Sequence, residues 1–395
     1  MVDWIMIQYA EDEAMDAKDG IRRGQSSATD SRSAVRELYE AISQDNAALI
    51  TFFCSSEYNL DELADEMNLL FTGIPVVGCT TAGEIGPSGY RDRSLVGISF
   101  PASAFTTVLS SMDDLKNFNI TDGQTTGHAL LGELETRAPN AGPNDSFAFL
   151  MIDGLSVREE QAARAFQNGI GKIRLFGGSA GDDIHFKHTW VFHDGAFHEN
   201  AATLILVNTS LPFKIFRTQH FVCEDERLVV TEADAARRIV KEINGLPAAA
   251  EYARLVGVFM VDLQPSLFAS YPVVVVIDGT DYVRSIQKVN EDGSLTFFSA
   301  IDEGLVFRVA RGVDLIADLN RAFSDLRKEI GPPQLTIACD CILRNLEITQ
   351  NGMKEAVGQI MCENNTVGFS TYGEQIDGVH VNQTLTGIAF GYPRT

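Results

Sequence analysis

The stretch VGCTTAGE, residues 77–84, recurs near the other end of the chain as VGFSTYGE, residues 367–374. In both, a short apolar run leads into a turn that holds a glycine, hydroxyl side chains and a final glutamate. Glycine tolerates positive φ and lets a ligand approach the backbone closely. The repetition raises two questions: how far it extends along the chain, and what such turns bind.

The sequence around the two stretches repeats as well. In both places a strand, a helix, the glycine turn and a closing strand follow one another: residues 47–56, 59–71, 77–84 and 94–100, and then 335–341, 351–361, 367–374 and 384–390. Asn59 and Glu62 have capping-box spacing at the start of the first helix. The closing strands, SLVGISF and TLTGIAF, share four of seven positions.

A weaker third copy lies between these two. It comprises residues 146–154, 156–170, 175–183 and 202–207. Ser156 and Glu159 again have capping-box spacing. The turn Ser179-Ala180-Gly181-Asp182 aligns with Thr81-Ala82-Gly83-Glu84. We therefore expect three copies of one building block.

The segment 210–330 differs from the copies. Its pattern predicts helices over 229–245, from 248 and over 313–330, a buried strand at 271–278, and a hairpin around Asp292-Gly293. No low-complexity linker divides the chain. The sequence therefore predicts a mixed α/β (α+β) fold of two closely packed domains, built partly from repeated strand–helix–strand–glycine turn–strand units.

Composition excludes several classes of function. The 395 residues carry a net charge of −23 without any Lys/Arg-rich run, which disfavours nucleic acids and anionic membranes as partners. No apolar stretch approaches the ~20 residues of a membrane helix, and the start, MVDWIMIQYAEDEAMD, does not have the layout of a secretory signal. Six scattered cysteines do not form a disulfide scaffold. We expect a cytoplasmic protein with reduced thiols.

The glycine turns are the candidate binding residues. Neither a P-loop nor a Gly-x-Gly-x-x-Gly pattern fits them, so phosphate binding is disfavoured. Hydroxyls and amides beside a carboxylate suit a zwitterion, the carboxylates binding its ammonium. Alternatively, each carboxylate caps its own backbone. The candidates are Thr80, Thr81, Glu84, Ser179, Asp182, Ser370, Thr371 and Glu374, and we expect the ligand where the first and third turns converge.

Two further groups deserve comparison. Cys341 and Arg344 form a Cys-x-x-Arg at a strand end, where the arginine either activates the thiol or holds a carboxylate. Cys339, Cys341 and Cys362 offer a metal or iron–sulfur site, but one straight strand does not curve around a cluster. His185, His188, His193 and His198 lie in and before a hairpin with Asp194-Gly195 at its turn, where surface histidines are the better interpretation. We expect no metal.

His220 differs from the other histidines because aromatic and apolar residues flank it. A histidine in an apolar setting can be an axial ligand of haem. More often it is a core histidine whose hydrogen bonds are satisfied within the protein.

Taken together, VGCTTAGEIGPSG, LFGGSAGDD, the segment around LPAAAEY, the Cys341–Arg344 strand end and VGFSTYGE resemble the FIST family, over about residues 30 to 391. The resemblance implies an N-terminal domain (1–222) and a C-terminal domain (223–395) that together act as a sensory input module for signal transduction. It also implies binding of small ligands, amino acids among them, which adds Arg344 to the candidate ligand-binding residues.

A chain without a fused output domain is similar to the nitric-oxide-sensing subgroup of that family. This implies noncovalent haem, with His220 as the axial ligand, and a partner histidine kinase or cyclic-di-GMP enzyme. The alternatives are an amino-acid sensor without haem and, less favoured, an enzyme that uses Cys341 or Glu374. No complete set of nucleophile, base and orienting group is readable, so we expect no catalytic residue. A homo-oligomer is compatible with the sequence.

Overall fold

The structure is a computed structural model that describes residues 20–277 and 280–393. The start of the chain, which the sequence predicts not to be a secretory signal, lies outside these residues. Among the described residues no helix combines the length and the apolar character needed to cross a bilayer.

The first two of three similar units occupy the N-terminal half. The first unit consists of β1 (Arg22–Ser26), α1 (Ser31–Ile42), β2 (Ala47–Ser55), α2 (Leu60–Leu70), β3 (Val76–Thr81), β4 (Glu84–Gly86), β5 (Gly89–Arg91) and β6 (Leu95–Pro101). The second consists of β7 (Phe105–Met112), α3 (Ile120–Arg137), β8 (Ser146–Ile152), α4 (Glu159–Ile170), β9 (Arg174–Ser179), β10 (Val191–His193), β11 (Ala196–His198) and β12 (Ala202–Thr209).

The third unit begins with β13 (Phe213–Thr218), after which a separate sheet is inserted. The insertion consists of β14 (Phe221–Asp234), β15 (Ile239–Ile243), β16 (Leu246–Pro247), α5 (Ala248–Val256), α6 (Pro265–Ser270), β17 (Val273–Ile277), β18 (Thr280–Arg284), β19 (Ile286–Val289), β20 (Leu295–Phe297) and β21 (Val306–Gly312). The unit resumes with α7 (Leu315–Ile330), β22 (Leu335–Cys341), α8 (Ile342–Gln350), α9 (Lys354–Glu363), β23 (Thr366–Thr371), β24 (Glu374–Ile376), β25 (Val379–Val381) and β26 (Leu385–Phe390). We call β14–β21 with their two helices the inserted sheet.

The three units exchange hairpins in a cycle. Each unit forms a four-stranded sheet, and the hairpin that follows its glycine turn completes the sheet of another unit. The orders are β1-β6-β2-β3-β10-β11, β7-β12-β8-β9-β24-β25 and β13-β26-β22-β23-β4-β5. In each of these three sheets the two central strands run parallel to each other, and the closing and edge strands pair in antiparallel fashion. The predicted threefold repeat is therefore confirmed, and the fold is mixed α/β.

Glycine at one register position makes the parallel pairing possible in all three units. Gly78, Gly177 and Gly368 lie opposite Phe52, Leu150 and Ala338. A Cβ at these glycines would come within 2.6, 2.2 and 1.9 Å of the carbonyl oxygens of those partners. This register aligns Ser179 with Thr80 and Ser370, so the alignment of Ser179 with Thr81 was wrong by one residue.

The inner faces of the three sheets enclose one phenylalanine-rich core. Phe53 stacks on Phe369 with ring centroids 4.4 Å apart, and Phe149 stacks on Phe176 at 4.7 Å. These four rings belong to strands of all three units, and they are buried. Burial of this shared apolar surface is the main force that holds the units together.

The helix expected over 229–245 was wrong. This segment forms the β14–β15 hairpin, in which Val230 pairs with Ile243. Its β-branched residues favour strands, and the side chains of Leu228, Val230, Val240 and Ile243 are buried in the core of the inserted sheet. The alanine-rich stretch between them, which suggested a helix, contains only a 3-10 turn at Ala235–Arg237.

The sequence predicted the presence of most helices better than the residue at which each one begins. The helix expected from Ser156 begins at Glu159, and the Ser156 hydroxyl instead accepts a hydrogen bond from the Arg158 amide at 3.3 Å. The cap of α2 is confirmed, since the Asn59 side chain accepts from the Glu62 amide. The expected strand at 271–278 and helix at 313–330 correspond to β17 and α7, and the Asp292-Gly293 hairpin joins β19 to β20.

Candidate functional site

The three glycine turns meet at the centre of the molecule. The Ala82 amide donates to the Ser370 carbonyl at 2.9 Å, and the Ser370 amide donates to the Gly83 carbonyl at 2.7 Å. The second turn joins through the Ser179 amide, which donates to the Gly373 carbonyl at 2.9 Å. The first and third turns therefore converge as expected, with the second turn beside them.

Two of the candidate carboxylates cap the strands that close their own units. Glu84 accepts from the amide and hydroxyl of Ser94 at 2.9 and 2.8 Å, and also from the Thr81 hydroxyl. Glu374 accepts in the same way from the amide and hydroxyl of Thr384, at 3.1 and 2.6 Å. Burial raises the pKa of Glu84 to about 7 and that of Glu374 well above its ordinary value. Both are structural caps.

Asp182 is not the counterpart of these two glutamates. Glu84 pairs with Phe369 and Glu374 with Gly178, and at the equivalent position of the second unit Val191 pairs with Cys79. Asp182 instead organises the loop before β10. It accepts from the amides of Lys187 and His188 at 2.8 and 3.0 Å, and from the Tyr372 hydroxyl.

The hydroxyls of the turns bond to other protein groups. The side chains of Thr80, Ser179, Ser370 and Thr371 are all buried. Thr80 Oγ1 accepts from the Trp190 amide, Thr371 Oγ1 donates to the Ser179 carbonyl, Ser179 Oγ accepts from Gln375 and Ser370 Oγ accepts from Asn345. These contacts tie the three sheets together.

Arg344 is buried beside the third turn. Its Nε donates to Asp340 at 2.6 Å, and its Nη1 lies 2.8 Å from His220 Nδ1. Two buried polar atoms here, Arg344 Nη2 and Glu374 Oε1, have no partner among the described residues. Buried polar atoms without a partner mark places where water or a ligand binds.

His220 does not fit the role of an axial haem ligand. Its Nε2 lies 2.9 Å from a Glu347 carboxylate oxygen, and its Nδ1 faces Arg344. Burial lowers the pKa of His220, although Glu347 opposes the shift. Both ring nitrogens are occupied, so iron could bind only if one of these contacts broke. The surroundings are those of a core histidine.

The cysteines show no sign of activation. Cys341 is buried, burial raises its pKa well above the ordinary value, and Arg344 turns away from it toward Asp340 and His220. Cys339 lies in the shared core, whereas Cys362 lies 3.4 Å from the Pro87 carbonyl oxygen. Among the described residues these three do not gather into a metal site.

A cavity of about 170 Å³ lies where the inserted sheet meets the second and third units. We call it the junction cavity. Its lining consists of Gly154, Leu155, Val157, Phe186, Arg237, Arg238, Gln287, Thr296, Phe297, Phe298 and Tyr372. Gly154, which follows β8, is a lining residue from the second unit. Tyr372, in the third glycine turn, is a lining residue from the third unit.

One wall of the junction cavity is aromatic. Phe186 stacks on Tyr372 with ring centroids 4.5 Å apart and lies 5.6 Å from Phe298. The Tyr372 hydroxyl accepts from the amides of Asp182 and Phe186 and donates to Asp182. This ring therefore connects the cavity to the turns that the sequence singled out.

Two arginines also line the cavity, and each is paired with acidic side chains. Arg238 is buried and donates to Glu159 and Glu160 at 2.7 and 2.5 Å, and to the Phe298 carbonyl at 2.6 Å. Burial would raise the pKa of Glu160, but Arg238 lowers it to a net value below the ordinary one. Arg237 is exposed and pairs through Nε with Asp234. The Gln287 amide forms no hydrogen bond within the described structure.

Behind the lining, three buried polar atoms have no hydrogen-bond partner among the described residues. They are His380 Nε2, Arg284 Nε and Ser285 Oγ. The backbone carbonyl of Ser285 accepts at 2.9 Å from the amide of Phe298, which lines the cavity. Burial lowers the pKa of His380 to about 3, and Gln375 donates to its Nδ1, so the neutral ring carries its proton on the unpaired Nε2.

The sequence matches the family models of the FIST N domain over residues 48–246 and of the FIST C domain over residues 248–377. The chain belongs to the FIST family. FIST domains are sensory domains of signal transduction that bind small ligands. The two models meet within the inserted sheet, and the division at residues 222 and 223 stays a prediction.

Other comparisons add little to the FIST assignment. No curated protein matches the sequence. Among solved structures, cyanuric acid hydrolase from A. caulinodans aligns over 94% of this chain and 99% of its own, with a TM-score of 0.40 and 9% identity. Similarity at that level transfers neither a fold nor an activity.

Sequence reasoning missed most residues of the junction cavity in this FIST protein. Tyr372 lies within a quoted turn but is not among the predicted site residues. Arg238, Gln287 and Phe298 lie in a segment without any repeated motif. The dipeptide Arg237-Arg238 in an otherwise acidic chain was the one available signal.

Proposed function

We propose that this FIST protein senses a small carboxylate, of the size of an amino acid, that binds in the junction cavity. The observation that carries the proposal is the composition of the cavity, in which aromatic rings face guanidinium and amide groups within about 170 Å³. Ligand sites combine an apolar lining with a few convergent polar groups in this way.

Each wall suits one part of such a ligand. Among the described residues the guanidinium of Arg237 is bonded only through Nε, so its Nη atoms and the side-chain amide of Gln287 can bind a carboxylate. Arginine binds carboxylates through paired hydrogen bonds. The rings of Phe186, Phe298 and Tyr372 offer packing for an apolar side chain. A ring face not covered by the Phe186–Tyr372 stack offers a cation–π contact for an ammonium group.

Binding there would act on the position of the inserted sheet. Polar contacts join that sheet to the second and third units: Arg238 to Glu159 and Glu160, Ala300 N to Glu160, and Ser299 to Asn382. An apolar cluster that includes Ala269, Ile342 and Tyr372 lies beside them. Polar contacts of this kind are typical of domains that move relative to one another. A ligand that contacts both sides would favour one orientation over others. We propose that a separate histidine kinase or cyclic-di-GMP enzyme reads that orientation.

A panel titration tests the proposal. The purified protein is mixed with each of the twenty L-amino acids and with simple carboxylates, and binding is measured by calorimetry and by thermal shift. We expect at least one ligand to bind, and we expect Gln287→Ala and Phe298→Ala to weaken it. Asn68→Ala, in a separate cleft beside Gly195, is the matched control and should bind normally. Equal weakening by all three variants, or no binding from the whole panel, would reject the proposal.

The haem-based version has less support because both nitrogens of His220 are occupied. It predicts a Soret band, sensitive to nitric oxide, in protein from haem-sufficient cells or after mixing with haemin. A spectrum that is unchanged in His220→Ala would leave the carboxylate sensor as the better account.

A further inference from the structure

We propose a zinc site formed by Asp113, His193 and His198, none of which lines the junction cavity. One ligand atom from each of the three side chains lies within 4.8 Å of the others. Asp113 Oδ1 is 3.1 Å from His193 Nε2 and 3.6 Å from His198 Nδ1. Ligand atoms on a tetrahedral zinc ion are separated by about 3.3 Å, given metal–ligand bonds of ~2.0–2.1 Å.

The chemistry of the donors points to zinc among divalent ions. Imidazole nitrogens favour zinc and other transition ions over calcium and magnesium. Two histidines and one carboxylate leave a fourth position, which a water molecule can occupy. Asp113 is exposed and His198 is partly exposed, so an ion can reach the site from solvent, whereas His193 is buried and fixes its inner side.

The rings of His193 and His198 stack nearly parallel with centroids 3.9 Å apart, so they must rotate to bring one ion into the plane of both rings. The carboxylates around His193 match those of a metal ligand. Its Nδ1 lies 3.1 Å from a carboxylate oxygen of Asp194 while its Nε2 faces Asp113. A neutral imidazole carries one proton and cannot donate to both carboxylates. With zinc on Nε2, the proton on Nδ1 is donated to Asp194, which is the usual support of a ligating histidine. On His198, Nδ1 binds the metal. The buried Nε2, which has no partner in the described part of the chain, keeps its proton.

The position of the site gives it a structural role. Asp113 directly follows β7, the edge strand of the second sheet, whereas His193 and His198 lie on β10 and β11, which complete the first sheet. An ion here would fasten the exchanged hairpin of the second unit to the edge of its own sheet.

The test uses tag-free, full-length protein freed of metal with a chelator. Co²⁺ is titrated first and followed by its visible absorption, and Zn²⁺ binding is then measured by calorimetry. We expect one saturable site, a tetrahedral cobalt spectrum that zinc abolishes, and a higher melting temperature with zinc. Asp113→Asn and His198→Ala should weaken zinc binding at least tenfold. Both residues reach the surface, so these variants should fold.

His128→Ala serves as the control because His128 is exposed on α3, away from the cluster. It should bind zinc as the wild type does. Asp194→Asn should weaken binding about 10- to 100-fold, as loss of a supporting carboxylate does. An absence of saturable binding, or equal binding by wild type and His198→Ala, would overturn the proposal. Binding lost only in His128→Ala would do the same.

Discussion

Replacing Glu84 with glutamine should change how the stability of the protein depends on pH. Glu84 is completely buried, and burial raises its pKa from 4.5 to about 7. A carboxyl whose pKa is higher in the folded state stabilises the fold at low pH. That contribution is lost as the pH rises from about 4.5 through 7.

The magnitude follows from the two pKa values. The free energy needed to ionise Glu84 is about 3 kcal/mol higher in the folded protein than in the unfolded chain, since each unit of difference in pKa corresponds to ~1.4 kcal/mol. Most of this difference, about 2–3 kcal/mol, develops between pH 5 and pH 8. Glutamine cannot ionise, but it has the shape of the protonated acid. Its oxygen can accept from Ser94 and its amide can donate to the Thr81 hydroxyl.

The assay is urea unfolding of wild type and Glu84→Gln at pH 5 and at pH 8. The difference isolates Glu84 from every other group that titrates in this range. We expect similar stability at pH 5, and at pH 8 a variant more stable than wild type by about 2–3 kcal/mol. A stability difference that is equal at the two pH values would refute the assignment of Glu84 as a buried cap with a raised pKa.

Three other predictions follow from the fold. Gly368→Ala places a Cβ 1.9 Å from the Ala338 carbonyl oxygen and should destabilise the protein by about 3 kcal/mol or more. Gly132→Ala, in open space on α3, should instead stabilise it by about 0.5–1 kcal/mol. Thermal unfolding of both variants measures the two changes in stability. Arg238→Met leaves Glu159 and Glu160 without their cation and should cost about 3–5 kcal/mol. This is far more than Arg311→Met should cost at an exposed pair with Glu224, and equal losses in chemical denaturation would contradict the prediction. A thiol reagent should modify at most Cys223 and Cys362 in the native protein, since the other four cysteines are buried, and early labelling of Cys341 in a mass spectrum would revive the enzyme hypothesis.

The repeat was readable from sequence because its physical requirement is local. Gly78 and Gly368 occupy positions where a side chain would strike the neighbouring strand, so both are glycine and the flanking residues align without gaps. The second copy was misaligned by one because its loop before β10 is longer, and Asp182 happened to follow a similar Ser-Ala-Gly triplet. Only pairing across the sheet distinguishes Val191 from Asp182 as the counterpart of Glu84.

The exchange of hairpins could not be predicted from the same residues. Nothing in the residues of the short strands β4, β10 and β24 specifies which unit they pair with. The partner of each strand is fixed only in the closed arrangement of the three sheets. The candidate site could not be predicted from the sequence for a similar reason. Its walls come from Gly154, Phe186, Arg238, Phe298 and Tyr372, which are far apart in sequence. The turn residues looked like a binding site because polar groups that join sheets and polar groups that bind ligands have the same composition.

Hydrogen–deuterium exchange with and without the ligand found by the panel tests the central claim most directly. The claim is that recognition takes place at the junction cavity. It predicts slower exchange on binding in the segments 235–239, 285–299 and 184–188, and little change at 80–84. Protection confined to the turns at 80–84 and 370–374, or to the surroundings of His220, would contradict it.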